Sequence, residues 1–300
     1  MSITRSATLE PEPSARIPLS AFRQGLSSFL RDRMAVAGLL VLTAAIAAAI
    51  FAPLLTPYSP TIGDQNAILV PPFGPGHPLG TDTQGRDLLA RILFGGRLAF
   101  PEAIIPVTAA ATAGMALGLI GGFFERSFGE VVMRALDVLF AIPMVLLAIA
   151  IAATLGNGLP TVILSMAIVI TPYIARVVAT TTAQQRTAPF IGAARCAGFS
   201  EWRILRREIM PHVIPAVMVY GTTNMGAMVV FAAGFGFLGL GAQPPTPDWG
   251  AMIADGMRSL ASAPWVSTVP GIAIVVISLA FNYVGDGLRV ALDPRLRTRL

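Results

Sequence analysis

The sequence predicts an all-α fold: a polytopic membrane helical bundle of about six transmembrane helices. Three observations point there. Apolar residues make up 54% of the 300-residue chain and charged residues only 12%, with a mean hydropathy of +0.71. A water-facing domain carries about 25% charge, so a chain with half of that needs the bilayer as solvent for much of its surface. Apolar runs long enough to cross about 30 Å of hydrocarbon recur along the chain. The arginines, finally, segregate between alternate loops.

The apolar runs lie at 34–55, 99–124, 131–155, 160–180, 213–241 and 265–288. Ahead of the first, residues 1–33 form a polar tail holding Arg5, Arg16, Arg23, Arg31 and Arg33. Within it Phe22, Leu26, Phe29 and Leu30 recur at helical spacing, which predicts a short amphipathic helix on the membrane surface; residues 1–17 read as a disordered tail. The run at 34–55 is too long, and sits behind too long a polar region, for a signal-peptide core, so it is expected to be an uncleaved anchor. The segments 56–98 and 242–264 are rich in Pro, Gly and Asp, and 181–212 is rich in Arg. With the N-terminus inside, seventeen arginines fall on inner segments and four (Arg86, Arg91, Arg97 and Arg258) on outer ones. That asymmetry predicts cytoplasmic termini, a periplasmic 56–98 loop, a five-helix core over 99–288 with a cytoplasmic loop at 181–212, and a cytoplasmic tail over 289–300.

Several function classes are excluded by composition. All 21 basic residues are Arg, so the chain has neither the Lys of a phosphate-binding Walker loop nor that of a Schiff-base enzyme. The net charge of +5 is accounted for by positive inner loops, and no basic block with interleaved aromatics suggests nucleic acid. A single cysteine, Cys196, permits no internal disulfide. His77 and His212 form no metal-ligand spacing.

Ionisable groups near the spans are functional candidates by default. Glu102, just after Pro101, is expected at the membrane interface. Arg134 with Asp137, and Asp286 with Arg289, are three residues apart and are expected to pair on their own helix faces. The middles of the other spans carry no charge, which weighs against a proton-coupled carrier and against an intramembrane enzyme. In the fifth run Tyr220, Thr222, Thr223 and Asn224 form a polar stretch followed by Met225 and Met228, on a helix thinned by glycines. Two readings stand: tight packing with satisfied hydroxyls, or the lining of a water-filled path.

The loop from Phe190 to Pro215 is more than a basic connector. Ala194 and Gly198, four apart, are expected to stack on one helix face and leave a shallow notch. Ser200 is a candidate N-cap for a second helix. On that helix Trp202, Leu205 and Ile209 share a face apart from Arg203, Arg206 and Arg207, and Pro211 and Pro215 are expected to break the chain before the next span. From the residues alone the hairpin is either a docking surface for a cytosolic partner or a solvated interfacial turn.

This stretch resembles the EAA loop of binding-protein-dependent ABC importer permeases, which reads Glu-Ala-Ala, three residues, Gly, then an Ile-x-x-Pro-like ending. Ala193, Ala194, Gly198 and the run from Ile209 to Pro215 match, whereas Gly192 stands where the family has Glu. Three further stretches are similar to the dipeptide, oligopeptide and nickel branch. They are His77-Pro-Leu-Gly-Thr-Asp-Thr-Gln-Gly-Arg-Asp87 with Gly95-Gly-Arg97, Phe237 to Gly250, and Asn282 to Arg289 with Leu292 to Arg297. Together with the first span the resemblance covers about residues 20–297. The resemblance implies a type I ABC importer permease fold and a "C"-type subunit of the bacterial inner membrane, heterodimeric with a second, different permease. It implies two ATPase subunits, an extracytoplasmic substrate-binding protein and membrane lipids as partners, and no nucleic acid. It implies no cofactor on this chain, with ATP and Mg held by the partner subunits. The ATPase-coupling residues would be Gly192, Ala193, Ala194, Arg195, Gly198, Trp202, Arg203, Leu205, Ile209 and Pro211. The translocation path would draw on Tyr220, Thr222, Thr223, Asn224, Met225 and Met228, and the 66–98 and 242–264 loops would face the binding protein. Peptides are the expected cargo, with nickel chelates, glutathione or opine-like compounds as alternatives in the same family. A stand-alone secondary transporter and a membrane enzyme are the readings from other classes.

The arginine asymmetry is directly testable. A reporter active only in the periplasm should be active when fused after Pro60 and silent when fused after Leu300. High activity at Leu300 would reject the topology.

Overall fold

A computed structural model describes residues 19–124 and 128–292. The expected tail over 1–17, Arg126 and the arginines at 295, 297 and 299 lie outside them. The regular elements among the described residues are all helices, without strands. Five helices are long and apolar enough to cross a membrane, and a sixth crossing is formed if a bent pair counts as one span.

Helix α1 (Leu19–Arg31) is followed without a real loop by α2 (Arg33–Ile50). Asp32 separates them by accepting from the amides of Met34 and Ala35, an N-cap that satisfies two orphan donors of α2. A short α3 (Ala52–Leu55) ends the first crossing. The second, α4 (Leu88–Phe123), begins at Leu88 and not at residue 99. Its N-cap is Asp87, which accepts from Ala90 N at 2.7 Å. Arg91 and Arg97 made the sequence look like loop here, but neither faces hydrocarbon unpaired. Arg91 donates to Pro60 O (3.0 Å); Arg97 caps the end of α2 through Ala49 O (2.8 Å) and Ile50 O (2.9 Å).

The expected span 131–155 is two helices, α5 (Phe128–Phe140) and α6 (Met144–Leu155), bent by 89°. Pro143 stands at the break; it cannot donate to the α5 ladder, and it biases Ile142 away from helical angles. Helix α7 (Leu159–Arg186) runs on past the expected end at 180, and α8 (Pro189–Cys196) lies beyond it. Next come α9 (Glu201–Ile204), a π-turn over Leu205–Ile209, and α10 (Met210–Phe237), which form one continuous helix. Pro211 and Pro215 therefore do not break the chain. Pro211 stands directly after the π-turn, inside this continuous helix. The π-turn, closed by Met210 N on Leu205 O, shifts the hydrogen-bond register just ahead of it. The molecule closes with α11 (Trp249–Met257) and α12 (Trp265–Leu292).

The core is held by close helix pairs. The most extensive is α4 on α7; α12 packs on α10 and α2, and α10 packs on α4. Along α4, Gly114, Gly118 and Gly122 repeat every fourth residue and face α7. A Cβ at Gly114 would stand 2.9 Å from Ile174 Cβ, one at Gly118 2.5 Å from Val178 Cβ, and one at Gly122 2.8 Å from Thr182 Cβ. Small residues at this spacing let two backbones approach where lipid supplies no hydrophobic drive.

One end of the bundle carries a compact cap. Residues 56–87 fold over the start of α12, with Trp265 Nε1 donating to Thr81 O (3.3 Å). Trp249 Nε1 donates to Ile92 O on α4 (3.1 Å), and Gly95 is required there because a Cβ would lie 2.6 Å from that nitrogen. At the other end Arg186 donates to Phe123 O (3.0 Å), tying the end of α7 to the end of α4.

The glycine row gives a graded test. Gly118→Ala should lower the unfolding free energy by about 1–3 kcal/mol, an overpacking cost, read as earlier thermal unfolding in detergent. Gly118→Leu should prevent stable accumulation. Gly271→Ala, where an added Cβ meets nothing within 4 Å, should leave stability unchanged or slightly raised.

Candidate functional site

The α8–α9 hairpin is built to present a surface. Helix α8 ends in a Schellman motif: Gly198 has φ +79°, its amide donates to Arg195 O (3.0 Å), and Phe199 N donates to Ala194 O (3.1 Å). Gly198 is thus the residue that terminates α8, and it does not stack above Ala194 on a helix face as the spacing predicted. The left-handed conformation explains the glycine. What survives is open space: a Cβ at Gly192 or Gly198 would meet nothing within 4 Å. Gly192, Ala193, Arg195 and Cys196 are exposed, and Ala194 is half-buried against the core.

The hairpin is pre-set by its own contacts. Arg195 donates to both carboxylate oxygens of Glu201 (3.1 and 3.3 Å), and the Arg203 guanidinium lies over the Phe199 ring at 4.3 Å. Ser200 occupies the N-cap of α9 with extended backbone, but its hydroxyl caps no amide. The shared face expected for Trp202, Leu205 and Ile209 is not formed. Leu205, Ile209, Val213 and Val217 are buried in one line, joined by Ile204, while Trp202 is 68% exposed. The buried stripe thus starts at Ile204 and Leu205, and Trp202 lies off it. An exposed Trp beside an open surface of Gly and Ala has the composition of a docking hot spot.

On α10 the polar side chains are satisfied within the helix. Thr222 Oγ1 donates to Met218 O (2.8 Å), Thr223 Oγ1 to Val219 O (3.0 Å) and Asn224 Nδ2 to Tyr220 O (2.7 Å). Thr223 packs on Gly285 of α12, where a Cβ would stand 2.9 Å from its amide. Met228 is buried and lines a small apolar cavity with Met144, Met166 and Phe231. Tyr220, Thr222, Asn224 and Met225 remain half-buried.

The charged residues re-pair across the fold. Arg134 bonds Glu130 (2.6 Å), one turn earlier on α5, and Asp137 pairs with Arg176 of α7. The predicted Arg134–Asp137 pair is therefore absent, and Arg176 belongs to a spanning helix and not to the loop flank. Asp286 and Arg289 do not form an ion pair with each other among the described residues. Glu102 is only 5% exposed, inside α4, which starts at residue 88, so it faces protein and not solvent. It lines a water-sized cavity with Asp248, Trp249 and Gly250. Asp248 caps α11 through Gly250 N (2.7 Å) and Ala251 N (3.1 Å), while burial pushes its carboxyl above the usual range against those amides. The glycines of 236–250 make room for it: a Cβ at Gly241 would lie 2.6 Å from Asp248 Oδ2. His77 Nδ1 meets Asp87 at 2.9 Å, and Arg86 Nε meets Asp82 at 2.6 Å, all four buried. Both contacts lie within the 56–87 cap, where they hold the segment that leads into α4. The Gly row on α4 did have a visible signal, a glycine at every fourth position, which the reading of spans by hydropathy passed over.

The comparisons agree with this architecture. Residues 114–298 match the family described as binding-protein-dependent transport system inner membrane component, and residues 20–72 match the N-terminal TM domain of oligopeptide transport permease C. The chain is 38% identical over 97% of both chains to the dipeptide transport system permease protein DppC of Alkalihalophilus pseudofirmus. It is 39% identical to the glutathione transport system permease protein GsiD of Pectobacterium atrosepticum, over 96% of this chain and 94% of that one. It is 36% identical to the di/tripeptide transport system permease protein DppC of Pseudomonas aeruginosa, over 95% and 96%. Among solved structures, the inward-facing MetNI methionine ABC transporter superposes with a TM-score of 0.57 at 17% identity, covering 68% of this chain and 96% of that one, which shows a common fold. On this evidence the chain belongs to the binding-protein-dependent transport system inner membrane component family, the membrane-spanning permeases of ABC importers.

Proposed function

We propose that this chain is one of two different permease subunits of an importer for peptides of the dipeptide and oligopeptide class. The observation that carries the reading is the α8–α9 hairpin: an exposed Trp202 beside open positions at Gly192 and Gly198, on a base rigidly tied to α10. The peptide cargo is supported by relatives named for dipeptide and di/tripeptide transport that match nearly the whole chain. A relative named for glutathione transport matches as well, and glutathione is itself a peptide.

In this reading both termini and the hairpin are cytoplasmic, and the cap formed by 56–87 and α11 faces a substrate-binding protein outside. The hairpin docks on an ATPase subunit. Two such subunits hold ATP and Mg; this chain, without lysine or a phosphate loop, holds neither. ATP binding moves the hairpin, and the unbroken helix from Glu201 to Phe237 carries that displacement to the opposite end of the bundle. Work is done only because the ATPases bind the two permease states unequally.

The hairpin assignment is checked by bulk at an open position. At Gly192 an added Cβ meets nothing within 4 Å among the described residues, so in Gly192→Trp membrane insertion should be intact while transport falls at least ten-fold and ATPase subunits fail to co-purify. Gly198→Trp is the poorer probe because it also strains a left-handed residue. Cross-linking from exposed Cys196 should reach an ATPase subunit with a yield that changes on ATP addition. Normal transport in Gly192→Trp rejects the docking surface. Separately, the purified subunit without partners should hydrolyse no ATP; hydrolysis that follows this chain through purification rejects its role as a passive permease.

A further inference from the structure

Two acids from distant parts of the chain meet at one small cavity. Glu102 lies inside α4 and Asp248 caps α11; they are 5% and 4% exposed. Both line a cavity of about 10 Å³, room for one water-sized occupant. The other walls, from α4, α10 and α11, are apolar or glycine apart from the Trp249 indole, whose N–H is already donated to Ile92 O. Each acid has one buried oxygen, Glu102 Oε1 and Asp248 Oδ2, with no hydrogen-bond partner among the described residues. Asp248 Oδ1 is occupied by the amides of Gly250 and Ala251, and the Ala242 amide also acts on this carboxyl.

The nearby cations are committed elsewhere. Arg86 meets Asp82 at 2.6 Å and Asp255 at 3.7 Å. Arg91 stands 3.6 Å from Asp82 and donates to Pro60 O, and its charge reaches Asp248 only at longer range. Two arginines thus face two aspartates, and neither Glu102 nor Asp248 forms an ion pair among the described residues. Two carboxylates on one dry cavity, with no cation paired to either, cannot both stay charged. Calcium needs many oxygen ligands and magnesium keeps several of its waters; two orphan oxygens and room for one water provide neither shell. A proton needs only an oxygen at each end of its hydrogen bond.

We propose that Glu102 and Asp248 form a proton-binding site, in which the pair holds one proton and one enclosed water and so ties α4 to the start of α11. The protonated carboxyl donates to the water and the water donates to the carboxylate, which gives both orphan oxygens a partner. The tie extends to α10. A Cβ at Gly236 of α10 would collide with the Asp248 carboxyl, and one at Gly241 would lie 2.6 Å from Oδ2. Asp248 therefore has no room to turn away from Glu102 unless these helices part. If the proton leaves, two like charges face each other across one water, with Arg91, Arg86, Asp82 and Asp255 already balanced among themselves. The site is independent of the cargo and of the ATPase contact.

The test uses the full chain with the subunits that co-purify with it, in lipid nanodiscs, and follows thermal unfolding through a fluorescent tag on this chain. At about pH 5.5 in choline chloride, Glu102→Gln, whose amide donates in place of the acid proton, should unfold within about 2 °C of the parent, and Glu102→Leu at least about 4 °C earlier. The folded pair holds a proton that the unfolded chain releases. Its contribution is therefore complete below the ordinary carboxyl pKa of about 4.3 and is lost as pH rises. Between about pH 5.5 and pH 8.5 the parent midpoint should fall, and Glu102→Gln should lose less than about half as much. In infrared spectra the parent should show a carboxylic acid band that shifts in D2O and is absent from Glu102→Gln. The site is overturned if that band is missing from the parent, if Glu102→Gln and Glu102→Leu unfold together, or if parent and Glu102→Gln respond equally to pH. A midpoint raised by sodium, calcium or magnesium in the parent and not in Glu102→Gln would also overturn it, because the occupant would then be a metal cation.

Discussion

In a bilayer, lipid tails solvate an apolar side chain as well as a neighbouring helix does, so hydrophobicity alone cannot hold helices together. The α4–α7 contact answers that constraint. Gly114, Gly118 and Gly122 remove the side chains between the two backbones, and Ile174, Val178 and Thr182 fill the groove that is left. Dispersion at close range then supplies the attraction. The rest of the bundle is arranged around this pair: α10 lies against both α4 and α7, α12 lies on α10, and α2 closes over α12 and α4.

The two ends of the bundle use different chemistry. The cap over the start of α4 is polar and buried, with His77, Asp82, Arg86 and Asp87 all shielded from solvent, and it is stitched to α11 and α12 by indole donors. The opposite end is apolar at its base and open at its tip, where Leu205 and Ile209 anchor the hairpin and Trp202 is left unpartnered within this chain. Helix α10 joins the two. Its π-turn lies where the hairpin meets the span, and its glycines pack on Asp248 at the far end. Helix α10 is thus fixed at one end by its packing on a buried carboxylate and runs at the other without a break into the hairpin.

Charge pairing departed from the expected spacing in two ways. Glu130, four residues before Arg134 on the same helix, took the arginine that the spacing had assigned to Asp137, and Asp137 paired with Arg176 on another helix. Glu102 is buried within α4, which begins at Leu88 and not at residue 99. The first competitor was local, the second came from an element distant along the chain, and the third was a helix boundary that hydropathy does not mark.

The sequence by itself determined the solvent, the fold class and the approximate spans. These depend on composition and on period, and both are local properties read against the fixed thickness of the bilayer. It also located the hairpin between α7 and α10, because small residues and a run of arginines are written contiguously between Gly192 and Arg207; the left-handed Gly198 that ends α8 came from the structure. Tertiary structure alone decided the break at 141–143, the π-turn that carries α9 into α10 through Pro211, and the pairing of Asp137 with Arg176. Hydrogen-bond register and ion-pair choice depend on which helices become neighbours. That is settled by backbone approach at the glycines of α4, far along the chain from the charges it brings together.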